Sequence, residues 1–216
     1  MTAFVVSQGA GRAAEPAARP EPLRPIVECE EAVYAFEPAN NGAGPMWCGG
    51  STCLVRVGND IFASGLETLN DCKPLNNCRW TLFHRGETGW ELVRADETGR
   101  TREPSPLTAF ADGRVFLSAN PTLVTNRETY AGPARPELFE FSAKRPQATP
   151  TRFSPVWQGE PKFTEHSYRS FAADGPRGEV IMFQNIGYTH AEWAFRDHAG
   201  RWSSGQLAWP HGKDYP

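Results

Sequence analysis

No run of apolar residues in this chain approaches the roughly 18 that a bilayer-spanning helix requires, so no such helix and no membrane partner are expected. Blocks of like charge are missing too: 22 Lys and Arg are interspersed with 25 Asp and Glu, for a net charge of −3. Nothing in that spread argues for nucleic acid or an anionic membrane surface as a partner, and a polyanionic ligand would need a local basic site. Few segments carry the 3.6-residue apolar periodicity of an amphipathic helix. Zinc-ribbon spacing is also lacking. The cysteines of "WCGGSTC" and "NDCKPLNNC" are separated by four and five residues, and no histidine lies within either motif. Neither a metal nor another cofactor is therefore expected.

What the chain does have is turns. Its 216 residues are 39% hydrophobic, enough for a real core in one domain, and they include 20 Gly, 19 Pro and 12% aromatics. That balance reads as an all-β protein. The start, "MTAFVVSQGAGRAAEP", resembles the end of a signal peptide whose front is missing. The alternative is a disordered tail over residues 1–28, as "AAEPAARPEPLRP" suggests. An exported protein, secreted or periplasmic, would agree with at least one disulfide among Cys48, Cys53, Cys72 and Cys78, leaving Cys29 over.

From residue 53 a pattern repeats every ~50 to 60 residues. The first copy runs "CLVRV", "IFASGLE", "RWTLFHR", "WELVRA"; the second "PLTAF", "VFLSA", "ELFEFS", "TRFSPVW"; the third "YRSFA", "EVIMFQ", "AEWAF", "RWSSGQLAW". In each, the first two strands join through Asn59-Asp60, Asp112-Gly113 or Asp174-Gly175, which suit turns of positive φ. Four antiparallel strands per copy are the blade of a β-propeller, so residues 29–216 are expected to form about three blades of an incomplete ring. On this reading "EAVYAF" (31–36) supplies an outer strand, the chain is an N-terminal fragment, and the sheet nearest residue 216 exposes apolar surface.

The tight turns lie at one end of each predicted blade and the long loops at the other, where binding sites usually lie. There, His166 and Tyr168 enter one strand of the third copy while Asn185, Tyr188 and His190 leave the next. Adjacent Arg169, with Arg102, Arg127 and Lys73 on other loops, could hold a carboxylate. A base, a proton donor and cations together suit β-elimination from a uronate sugar. His166, Tyr168 and His190 are the candidate catalytic residues; Arg169, Asn185, Tyr188, Arg102, Arg127 and Lys73 are the candidate substrate-binding residues.

The four-strand repeat, the stretch "RDHAGRW" as a degenerate Asp-box, and the segments "EHSYRSFAADG" and "GYTHAEWAFRD" resemble the BNR-repeat, sialidase-like propellers that include ulvan lyases and related rhamnose-glucuronate-cleaving enzymes. The resemblance covers roughly residues 30–216. It implies a polysaccharide lyase acting on uronate-containing glycans, with His166, Tyr168, Arg169 and His190 on one propeller face. It also implies that Trp202 packs between blades.

Other functions remain in view. A sialidase-like or rhamnosidase-like glycoside hydrolase would use Glu192 or Glu67, yet hydrolysis normally needs a positioned pair of carboxylates. A glycan-binding propeller without catalysis needs neither. Tyr168 and Tyr188 also suit packing at sheet edges, His84 reads as structural within a strand, His198 as solvated, and Asn120 and Asn126 as turn residues.

Overall fold

The computed structural model describes residues 23–47, 52–187 and 189–208. It divides into two compact units, Met1–Glu31 and Ala32–Pro216. The described part of the first, residues 23–31, is exposed and carries neither strand nor helix.

The second unit is all-β, and no helix occurs among its described residues. Its strands are β1 (Leu54–Val57), β2 (Asp60–Thr68), β3 (Cys78–Gly86), β4 (Gly89–Ala95), β5 (Leu107–Ala109), β6 (Arg114–Ala119), β7 (Glu137–Ser142), β8 (Thr151–Phe153), β9 (Ser170–Asp174), β10 (Glu179–Ile186), β11 (His190–Arg196) and β12 (Trp202–Ala208). They form three four-stranded antiparallel sheets in the orders β1-β2-β3-β4, β5-β6-β7-β8 and β9-β10-β11-β12. The predicted repeat matches these sheets strand for strand. Strand ends differ from the expectation: β8 stops before Pro155, which cannot donate to a ladder, and β9 is shifted to begin after Tyr168, whose φ of +36° breaks the extended chain.

The turns use glycine where the backbone demands it. Between Val57 and Asp60, Gly58 takes a φ of +62°, one place before the Asn59-Asp60 pair that the pattern suggested. In the third sheet the positive φ falls on Gly178 rather than Gly175, and the Gly178 N–H donates to the Asp174 carbonyl at 2.8 Å. The "RDHAGRW" turn is capped by its aspartate. Asp197 Oδ1 accepts from the N–H groups of Ala199 and Arg201, each at 2.9 Å, and Trp202 packs against the core beneath.

Strand alternation gives the second sheet two buried faces. On β6, Val115 and Leu117 join Phe62, Trp80 and Leu82 of the first sheet, while Phe116 points the other way to join Phe171, Val180 and Met182 of the third. Each such side chain removed from water contributes about 1.5–3 kcal/mol, which holds the sheets face to face. Their first strands adjoin, β1 beside β5 and β5 beside β9, so the loops entering them are brought together.

Residues 31–36 do not form the expected outer strand. Instead Tyr34 lies across the outer face of the first sheet, stacked on Phe83 with ring centroids 4.9 Å apart, and its hydroxyl accepts from the Leu66 N–H at 3.2 Å. Gly65 makes room for the ring, since a Cβ there would lie 2.6 Å from it. The corresponding face of the third sheet carries Ile181, Phe183, Trp193, Phe195 and Leu207, all at least partly exposed, with Leu207 at 58%.

The expected disulfide is not formed among the described residues: Cys53, Cys72 and Cys78 are thiols, and Cys48 lies outside the described residues. Cys78 belongs to a strand rather than a loop. It is buried with Leu66 and Ala39, and its Sγ accepts from Asn41 Nδ2 at 3.5 Å. Burial pushes its pKa up to about 11 and raises that of Cys53 as well, so both behave as small apolar side chains.

Candidate functional site

The loops into β1, β5 and β9 meet around one carboxylate, that of Glu103. The residue is fully buried, and a buried charge survives only if each oxygen finds donors. Oε2 accepts from the Ser167 N–H at 3.0 Å, the Ser167 hydroxyl at 2.9 Å and the Tyr168 N–H at 3.1 Å. Oε1 lies 2.7 Å from His166 Nδ1. Burial alone would raise the Glu103 pKa, but the His166 hydrogen bond, the nearby Arg169 charge and the Ser167 N–H outweigh it and bring the carboxyl down to about 2.

This grip explains the backbone of Tyr168. Two consecutive N–H groups converge on one anion only if the chain turns into the left-handed region, the geometry of an anion nest. For a residue with a Cβ that conformation costs about 1–3 kcal/mol, offset here by the donors delivered to Glu103.

The carboxylate also decides the histidine tautomer. Arg102 Nη1 stands 3.2 Å from the same Nδ1 that approaches Glu103, and that nitrogen cannot accept from an arginine while donating to a carboxylate. The shorter contact with an ionised partner prevails, so Nδ1 carries the proton and the lone pair lies on Nε2. Arg102 is held independently, its Nε donating to the Asn41 carbonyl at 2.9 Å. The Tyr168 ring meets the His166 ring edge-on at 4.3 Å, and the Trp47 indole lies over Tyr168 with centroids 6.2 Å apart. His166, Tyr168, Arg102 and Trp47 thus form one cluster.

No protein-family model matches the chain, and no curated protein matches it.

The other sequence candidates make contacts of their own. Arg169 is 2% exposed, and its Nη2 donates to the carbonyls of Glu103 and Pro104, so it braces the loop from within. Asn185 is buried, and its N–H donates to the Ser167 carbonyl at 2.8 Å. His190 forms a second histidine–carboxylate pair: Nε2 lies 3.1 Å from Glu192 Oε1, which also accepts from Gln206 Nε2 at 2.8 Å. Arg127 pairs with Asp71 at 2.6 Å and Lys73 with Glu128 at 3.9 Å, tying the β2–β3 loop to the β6–β7 loop. Tyr188 lies outside the described residues. His84 is structural as expected, with Nε2 2.9 Å from Asp60, and Asn126 caps a turn by accepting from the Glu128 N–H. Among the described residues no cluster of His, Cys, Asp and Glu could hold a metal ion.

Sequence reading missed Glu103, Trp47 and Asn41. The segment "RTREPSP" drew notice for Arg102, and nothing in its local pattern marks the neighbouring glutamate as the partner of a histidine 63 positions on.

Proposed function

We propose that the three sheets are blades of a β-propeller and that the chain is a carbohydrate-active enzyme, a polysaccharide lyase that cleaves uronate-containing glycans by β-elimination at the His166 cluster. The observation that carries this reading is the Glu103–His166 contact at 2.7 Å beside Arg102 and Tyr168, because it combines an oriented base, a fixed cation and a phenolic proton donor. Arg102 pairs with the uronate carboxylate and stabilises the charge that builds at C5. His166 Nε2 takes the C5 proton, and Glu103 stabilises the imidazolium so formed. The C4–O bond breaks as the C4–C5 double bond forms, and Tyr168 protonates the departing oxygen. Return of the proton from His166 to the phenolate, through solvent, resets the site.

Hydrolysis fits the same residues poorly. A glycosidase acid must be protonated at working pH, and Glu103, held at about 2, is not. The test is incubation with a panel of uronate polysaccharides. Elimination creates an unsaturated uronate absorbing near ~235 nm, whereas hydrolysis releases reducing ends without that absorbance.

A further inference from the structure

A groove of about 850 Å³ opens beside this cluster, between the β6–β7 loop and the segment that follows β8. Its lining includes Trp157, Phe163, Arg135, Lys162, Glu160 and Thr164. We infer that it is an accessory binding site for an acidic oligosaccharide, taking the sugars that flank the one held at His166.

Three observations point to that ligand. Trp157 is partly exposed yet anchored: its ring packs on Phe163 with centroids 4.7 Å apart and against the core between the second and third sheets. A rigid aromatic surface of this kind receives the apolar C–H face of a pyranose at little entropic cost. Arg135 and Lys162 are both exposed, two cations against the single acid Glu160, and they suit carboxylates on successive sugars. The groove also ends two residues from His166, since Thr164 lines it and the Thr164 Oγ1 accepts from the His166 N–H at 3.4 Å. A glycan chain leaving His166 over Thr164 enters the groove directly.

The inference rests on the glycan reading of the His166 cluster, and the experiment separates the two. Oligoglucuronates of two and six sugars, with neutral cello-oligosaccharides of the same lengths as controls, are titrated calorimetrically into the full chain. The hexasaccharide should bind about tenfold or more tighter than the disaccharide, with no such gain for the neutral series. Arg135→Glu/Lys162→Glu, changing two exposed residues, should abolish that gain while leaving disaccharide binding and disaccharide-sized turnover unchanged. Trp157→Ala should do the same; because Trp157 also packs on the core, the charge-reversal pair decides if that variant unfolds. A hexasaccharide affinity unaffected by the charge reversal, or absent in the wild-type protein, overturns the accessory site. Length-dependent binding lost on charge reversal, with no absorbance near ~235 nm under any condition, would sustain the groove and defeat elimination instead.

Discussion

His166 Nδ1 lies 2.7 Å from Oε1 of Glu103, and the two residues enter different sheets. This contact fastens the loop before β9 to the loop before β5, fixes the imidazole tautomer, and holds Tyr168 in the turn that presents its ring beside His166. Stability and proposed chemistry therefore share one carboxylate.

Glu103→Gln tests the structural half. The carboxyl sits at about 2 in the fold against an ordinary value of 4.5, so it favours folding by about 3 kcal/mol. Because the folded pKa is depressed, that contribution is full above about pH 4.5 and is lost as pH falls towards about 2. The glutamine keeps one acceptor but turns an NH₂ towards groups that themselves donate. Urea melts should show the variant about 3 kcal/mol less stable at pH 7, with the gap narrowing to roughly half by about pH 3 and closing towards about pH 2. A gap that does not change with pH would contradict the assignment.

Gly65→Ala probes the cover on the first sheet. The new methyl would stand 2.6 Å from the Tyr34 ring, forcing it off Phe83 and away from the Leu66 N–H. A loss of about 1–3 kcal/mol is expected, along with increased solvent quenching of Tyr34 fluorescence. An unchanged melting temperature would mean that Tyr34 does not hold this face.

The twelve strands were legible because alternation and glycine-bearing turns act locally, within each hairpin. What failed was long-range or depended on burial. Glu103 owes its role to a partner 63 residues away, and no spacing rule reaches that far. Arg169 stands next to Ser170, which is exposed, yet is itself 2% exposed; sequence alone does not reveal which neighbour turns inward. The residues 31–36 alternate like a strand, but Tyr34 meets the sheet by its ring. Cys72 and Cys78 are close in sequence, but the second faces into a strand's core and is not available to pair.

The thiols give a further check. At pH 8 a group titrating at about 11 is only about one-thousandth thiolate, and Cys78 is buried besides. Alkylation followed by mass spectrometry should label exposed Cys29 promptly and Cys78 only on unfolding. Under non-reducing, denaturing conditions Cys29, Cys53, Cys72 and Cys78 should all react. Labelling of native Cys78 as fast as Cys29 would contradict its placement.

The most direct test of elimination at the His166 cluster is the rate of absorbance increase near ~235 nm on a uronate polysaccharide, for the wild-type protein and for Tyr168→Phe. The variant keeps the ring against His166 and the N–H to Glu103 but lacks the transferable proton. Turnover should fall by on the order of a hundredfold or more with unchanged melting behaviour. Turnover equal to the wild type would remove Tyr168 from the mechanism, and no absorbance change from the wild-type protein on any uronate polysaccharide would contradict the account itself.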